Sequence, residues 1–100
     1  MRYPRAFSHI GITVPDLEQA VKFYNDVMGW YIIMNPTVIV EENETSIGQM
    51  CIDVFGTGWK TFKIAHLSTV DGIGIELFEF PNNKKPQAEF KPFETGVFHF

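Results

Sequence analysis

The sequence predicts an α+β module whose elements run strand, helix, strand, short helix, strand, strand, or βαβββ once the second helix is set aside as an insert. Three observations carry that prediction. Phe7 to Val14 alternates apolar and small or polar residues, Leu17 to Met28 repeats apolar residues at helical spacing, and Ile73 to Phe80 is a second alternating run.

In the first strand Ser8, Ile10, Ile12 and Val14 share one face while Phe7, His9, Gly11 and Thr13 take the other. Pro15 and Asp16 stop it. Asp16 with Gln19 three residues later has the form of a capping box, and Leu17, Ala20, Val21, Tyr24, Val27 and Met28 form the apolar stripe of a helix that Gly29 ends. The stripe is expected to pack on Ile10, Ile12, Ile75 and Leu77, with Lys22 and Asn25 off it. Trp30 to Met34 resumes as a strand that extends past Pro36 toward Val40. Glu41 to Thr45 is a polar loop. Ile47, Met50, Cys51, Val54 and Phe55 then match a helical template, with Gly56 placed to end the element. Trp59 to Leu67 is a strand, Ser68 to Gly72 a turn, and Ile73 to Phe80 the last strand before the breaker-rich stretch from Pro81 to Pro86.

A chain of 100 residues with 45% hydrophobic content makes one small domain, for which a metal or a partner is a useful stabiliser. Its net charge of −4, with scattered Lys and Arg, offers no basic stripe to nucleic acid. Neither a signal peptide nor a run of membrane-spanning length is visible, so a soluble cytoplasmic protein with no membrane partner is expected. The single cysteine, Cys51, forms no internal disulfide and reads as a buried hydrophobe. Asn43-Glu44-Thr45 spells a glycosylation acceptor that lacks a secretory context.

Two residues stand out against this pattern. Glu76 interrupts the apolar run Gly74-Ile75-Glu76-Leu77-Phe78 and falls with Phe78 and Phe80, opposite Ile75 and Leu77. If Ile75 and Leu77 pack on the helix, Glu76 projects from the other side of the sheet, where burying a carboxylate requires a cation or hydrogen bonds. The alternative is that this face lies in water. His9 follows the same logic, since it lies opposite Ile10, Ile12 and Val14; a surface histidine is the alternative there. Glu79, near the end of its strand, reads as solvated. A short echo links Phe7-Ser8-His9-Ile10 with Val97-Phe98-His99-Phe100 and suggests that a second module begins near Val97.

The stretch from His9 to Trp30, HIGITVPDLEQAVKFYNDVMGW, resembles the opening strand, helix and Gly-aromatic exit of the vicinal oxygen chelate superfamily, which includes glyoxalases, bleomycin-resistance proteins and extradiol dioxygenases. IELFEF resembles the last strand of that module and GVFHF the first strand of the next. The resemblance implies a mixed, strongly curved sheet forming half of a paired-module cup. It divides the chain into a βαβββ module over 1–82, a linker over 83–96 and the first strand of a second module over 97–100. It also implies a divalent metal, Zn, Ni, Fe, Mn or Co, held by His9, Glu76 and His99, with a fourth ligand beyond the sequence or on another subunit. The expected activity is that of a metal-dependent lyase or isomerase of the glyoxalase I type, which acts on a small substrate with vicinal oxygens through a metal-stabilised enediolate. Glu76 is then a ligand first and a catalytic base second. The alternatives within the superfamily are a metal-free, ligand-sequestering protein of the bleomycin-resistance type and a dioxygenase or thiol transferase. A homodimer or a longer parent chain is expected in each case.

Overall fold

The structure is a computed structural model that describes residues 2–85, 89 and 91–96. It contains β1 (His9–Thr13), α1 (Leu17–Met28), β2 (Tyr31–Val40), α2 (Ser46–Phe55), β3 (Thr61–Ser68) and β4 (Gly74–Glu79). The four strands form one open mixed sheet in the order β1-β4-β3-β2. β1 runs parallel to β4, and the other two pairings are antiparallel.

Helix α1 carries the chain from β1 at one edge of the sheet to β2 at the other. Its start is fixed by Asp16, whose side chain accepts from the Gln19 amide at 3.1 Å, and by Glu79, whose Oε1 accepts from the Leu17 amide at 2.8 Å. Glu79 is therefore not solvated: it is 6% exposed, and it satisfies an amide that the helix leaves without an internal partner. The helix ends at Gly29 in the left-handed region, φ 69°. Trp30 then folds back to stack on Tyr24 at 5.0 Å, and Asn25 donates to the Trp30 carbonyl at 2.8 Å. Asn25, off the apolar stripe as expected, thus holds the exit turn.

One face of the sheet carries Ala65, Leu67, Ile75 and Leu77, packed on Leu17 and Val21 with Ile10, Ile12, Val14, Ala20, Tyr24 and Trp30 around them. Leu17, Leu67 and Leu77 are fully buried, each contributing about 1.5–3 kcal/mol. The far end of the predicted stripe is different. Val27 and Met28 are exposed.

β2 passes through Pro36 because it is an edge strand with two register shifts, one between Ile32 and Met34 and one between Met34 and Thr37. Helix α2 lies over part of the other face of the sheet. Its buried side is Gly48, Cys51 and Ile52, joined by Phe55, while Ile47, Met50 and Val54 from the expected stripe point outward. Gly48 is required there, since a Cβ would collide with Glu42. Phe55 sits among Trp59, Phe62, Phe78 and Phe80, with ring centroids 5.4–6.5 Å from it. Glu41 secures the corner between α2 and β3 by accepting from the amides of Gly58 at 3.1 Å and Lys60 at 2.8 Å, the latter in the left-handed region at φ 62°.

Two expectations follow. Val21→Asp places an unpaired charge in the α1 core and should cost on the order of 3 kcal/mol or more, whereas exposed Gln19→Asp should change thermal stability little; equal melting temperatures would overturn the packing of α1. The amides of Lys60 and then Gly58 hold the Glu41 carboxyl below the ordinary carboxylate range. Since the folded value is lowered, this contribution is present above that range and is lost as pH falls through the folded value. Trp59 fluorescence should therefore report an acid transition that Glu41→Gln alters, and an unchanged transition would dismiss the role of Glu41.

Candidate functional site

Strand registers decide which polar side chains meet on the face away from α1. His9 pairs with Gly74, and Gly11 with Glu76, across the parallel β1–β4 ladder. His66 pairs with Glu76, and Ser68 with Gly74, across β3–β4. Alternation then sends His9, Glu76 and His66 to the same side, since Ile10, Ile75, Leu77, Ala65 and Leu67 belong to the α1 core.

The structure brings His9 and Glu76 together, with Nε2 of the imidazole 3.3 Å from Oε2 of the carboxylate. The His9 side chain is 54% exposed and that of Glu76 29%, so the pair is open on one side. Ser8 Oγ lies 3.0 Å from Nδ1 of His9. In the tautomer that donates Nδ1–H to this hydroxyl, Nε2 presents its lone pair toward Glu76. The third expected ligand, His99, lies outside the described residues, as does the segment 97–100.

Gly74 makes the space between these groups. A Cβ there would stand 2.8 Å from Nε2 of His66 and 3.0 Å from Cβ of His9. The resulting hollow, about 280 Å³, is lined by Ser8, His9, Ile33, His66, Ser68, Gly72, Gly74 and Glu76. His66 was not among the sequence candidates. Its signal was available in principle, since the Ser68 to Gly72 turn sets the β3–β4 register that aligns it with Glu76.

A second group of carboxylates, Asp16, Glu18 and Glu79, has oxygen atoms within 4.8 Å of one another. Each already has a partner. Asp16 and Glu79 cap α1, while Lys63 Nζ lies 3.1 Å from Glu18 and Lys84 Nζ 3.5 Å from Glu79. The Glu18 backbone amide and then Lys63 lower the Glu18 carboxyl below its usual range. A larger groove, about 1060 Å³, lies beyond the other end of β1 and is lined by residues including Val14, Phe55, Trp59, Phe80, Lys84 and Lys85. It has no pair of imidazole and carboxylate donors. Among the described residues, the imidazole and carboxylate that face each other are those of His9 and Glu76.

Comparison with known proteins agrees with this architecture. The crystal structure of a glyoxalase family protein from Bacillus cereus is similar, with a TM-score of 0.66 and 20% identity over 98% of this chain. The match takes in 60% of that protein's length, so this chain spans only part of it. None of the curated protein sequences compared with the chain matches it. Residues 6–100 match the model of the Glyoxalase/Bleomycin resistance protein/Dioxygenase superfamily, and the chain belongs to that superfamily.

Proposed function

We propose that the protein is a metal-dependent, glyoxalase-like enzyme, a lyase or isomerase acting on a small substrate with vicinal oxygens. The observation that carries this reading is the approach of His9 Nε2 to Glu76 Oε2 at 3.3 Å on an open, water-accessible hollow. Two donors bound to one cation at ~2.1 Å with a tetrahedral angle stand about 3.4 Å apart, so the pair is spaced as cation ligands are. A neutral imidazole and a carboxylate are suitable donors for Zn, Ni, Fe, Mn or Co. Ser8 supports the fit by orienting the His9 ring, as outer hydrogen bonds orient metal-bound histidines.

His9 and Glu76 hold the cation, and His99 joins them in the complete site. When bound, the ion supplies a Lewis acid that polarises a carbonyl and stabilises the negative charge left as a neighbouring C–H proton departs. Glu76 acts first as a ligand, and as a proton acceptor only where an oxygen remains free. The aromatic cluster around Phe55 fills the opposite half of this face and leaves the Gly74 end as the place where a substrate enters. A second βαβββ module, from a longer parent chain or a second copy in a homodimer, covers the hollow. Support comes from the exposed apolar side chains Tyr31, Ile33, Ile47, Met50 and Val54 and from the place of β1 at the edge of the sheet among the described residues. Residues 1–82 then act as one module, 83–96 as linker and 97–100 as the start of its partner. Among the described residues, no helix is long and apolar enough to cross a membrane, consistent with a cytoplasmic enzyme.

A metal-free, ligand-sequestering protein is the second reading, favoured by the apolar groove beside Phe55, Trp59 and Phe80. Elemental analysis separates the two. The enzyme reading expects a divalent metal to co-purify or reload, and to be lost in a His9→Ala, Glu76→Ala double variant; full occupancy in that variant would reject these ligands, and a ligand-competent wild type without metal affinity would favour sequestration. Gly74→Ala tests the space itself. The added methyl would meet Nε2 of His66 at 2.8 Å and Cβ of His9 at 3.0 Å. Since a Cβ yields only with its backbone, His9 should be shifted on β1 and metal binding weakened by about ten- to hundredfold, the range for disturbed ligand orientation; unchanged affinity would contradict the role given to Gly74.

A further inference from the structure

We propose that His66 is a substrate-binding residue, donating a hydrogen bond to an anionic oxygen of the molecule that occupies the His9–Glu76 end of the sheet. This inference rests on the proposed metal site and names the group that reads the ligand there. His66 lies opposite Glu76 in the β3–β4 ladder, is half-buried, and lines the same hollow as His9 and Glu76. Its ring leans along the strand over Gly74, with Nε2 2.8 Å from the point a Cβ would occupy, and His9 Cβ flanks that point at 3.0 Å from the far side. The missing side chain at residue 74 therefore leaves a gap between the His66 ring and Cβ of His9.

Distance separates the role of His66 from that of a ligand. Donors on one cation with bonds of ~2.1 Å stand no more than about 4.2 Å apart. The ring nitrogens of His66 do not come within 4.8 Å of both His9 Nε2 and Glu76 Oε2, although those two are close to each other. His66 thus falls outside ligand distance while lining the same hollow, where it faces a bound molecule and not the cation. The remaining polar neighbours are committed elsewhere: Ser8 lies against His9 Nδ1, and Ser68 Oγ donates to the Thr69 carbonyl. Ile33 forms the apolar wall beside it. The fitting ligand class is a small molecule whose chelating oxygen pair includes a carboxylate or enolate-like oxygen turned toward β3.

The test uses purified protein loaded with Co(II), whose visible spectrum reports both metal binding and ligand binding, with oxalate as a bidentate anionic probe. His66→Ala should keep wild-type Co(II) affinity and weaken oxalate about tenfold or more, as expected for loss of a hydrogen bond to a charged group. His66→Gln, which keeps an N–H donor, should recover part of the loss. Equal oxalate affinity in wild type and His66→Ala overturns the inference while the metal site stands. Loss of Co(II) in His66→Ala overturns it by making His66 a ligand. A wild type that binds no Co(II) removes the metal reading and this inference together.

Discussion

The parallel pairing of β1 with β4 is the constraint on which the site depends. It sets His9 beside Gly74 and Gly11 beside Glu76, so that two chemically suitable side chains on different strands lean toward each other across two glycines. Both glycines leave space, Gly74 the more tightly. A Cβ at Gly11 would press on Phe78 at 3.2 Å, and one at Gly74 would strike both histidines. A parallel pair also demands a long connection, here everything from α1 to β3, and α1 within it buries the apolar half of the same strands. Core and site are thus opposite faces of one ladder, and a slip of one residue would exchange them.

The face away from α1 is divided between two kinds of chemistry. At one end α2 and the cluster of Phe55, Trp59, Phe62, Phe78 and Phe80 make a packed aromatic layer. At the other end the side chains are small or polar, and water reaches them. Phe78 marks the boundary, two residues from Glu76 on the same strand and packed over Gly11. The aromatic layer packs on the same strands that carry Glu76 and His66.

Local pattern made much of this legible. Alternation placed His9 and Glu76 on one face, and the Asp16 and Gly29 signals bounded α1 as they stand in the structure. Long-range facts were harder to read. Glu79 looks like an exposed strand end until the N-terminus of α1 is laid against it. The outward turn of Ile47, Met50 and Val54 depends on where α2 docks, because that helix is apolar around most of its circumference. His66 was missed for a similar reason: a single histidine in an alternating strand carries no partner in its own sequence, and only the β3–β4 register brings Glu76 beside it. His99 was proposed from a family resemblance and a four-residue echo, and it lies outside the described residues.

The central claim is that a divalent cation binds at the His9–Glu76 end of the sheet and not at the carboxylates that cap α1. Long-range proton–nitrogen NMR of the histidine rings during titration with Zn(II) tests it most directly. The account predicts that one equivalent shifts the His9 Nε2 resonance strongly, as for a metal-bound nitrogen, while the amides of Leu17 and Gln19 beside Asp16 and Glu79 stay unmoved. A titration that moves those α1 amides and leaves the His9 ring unchanged would contradict it.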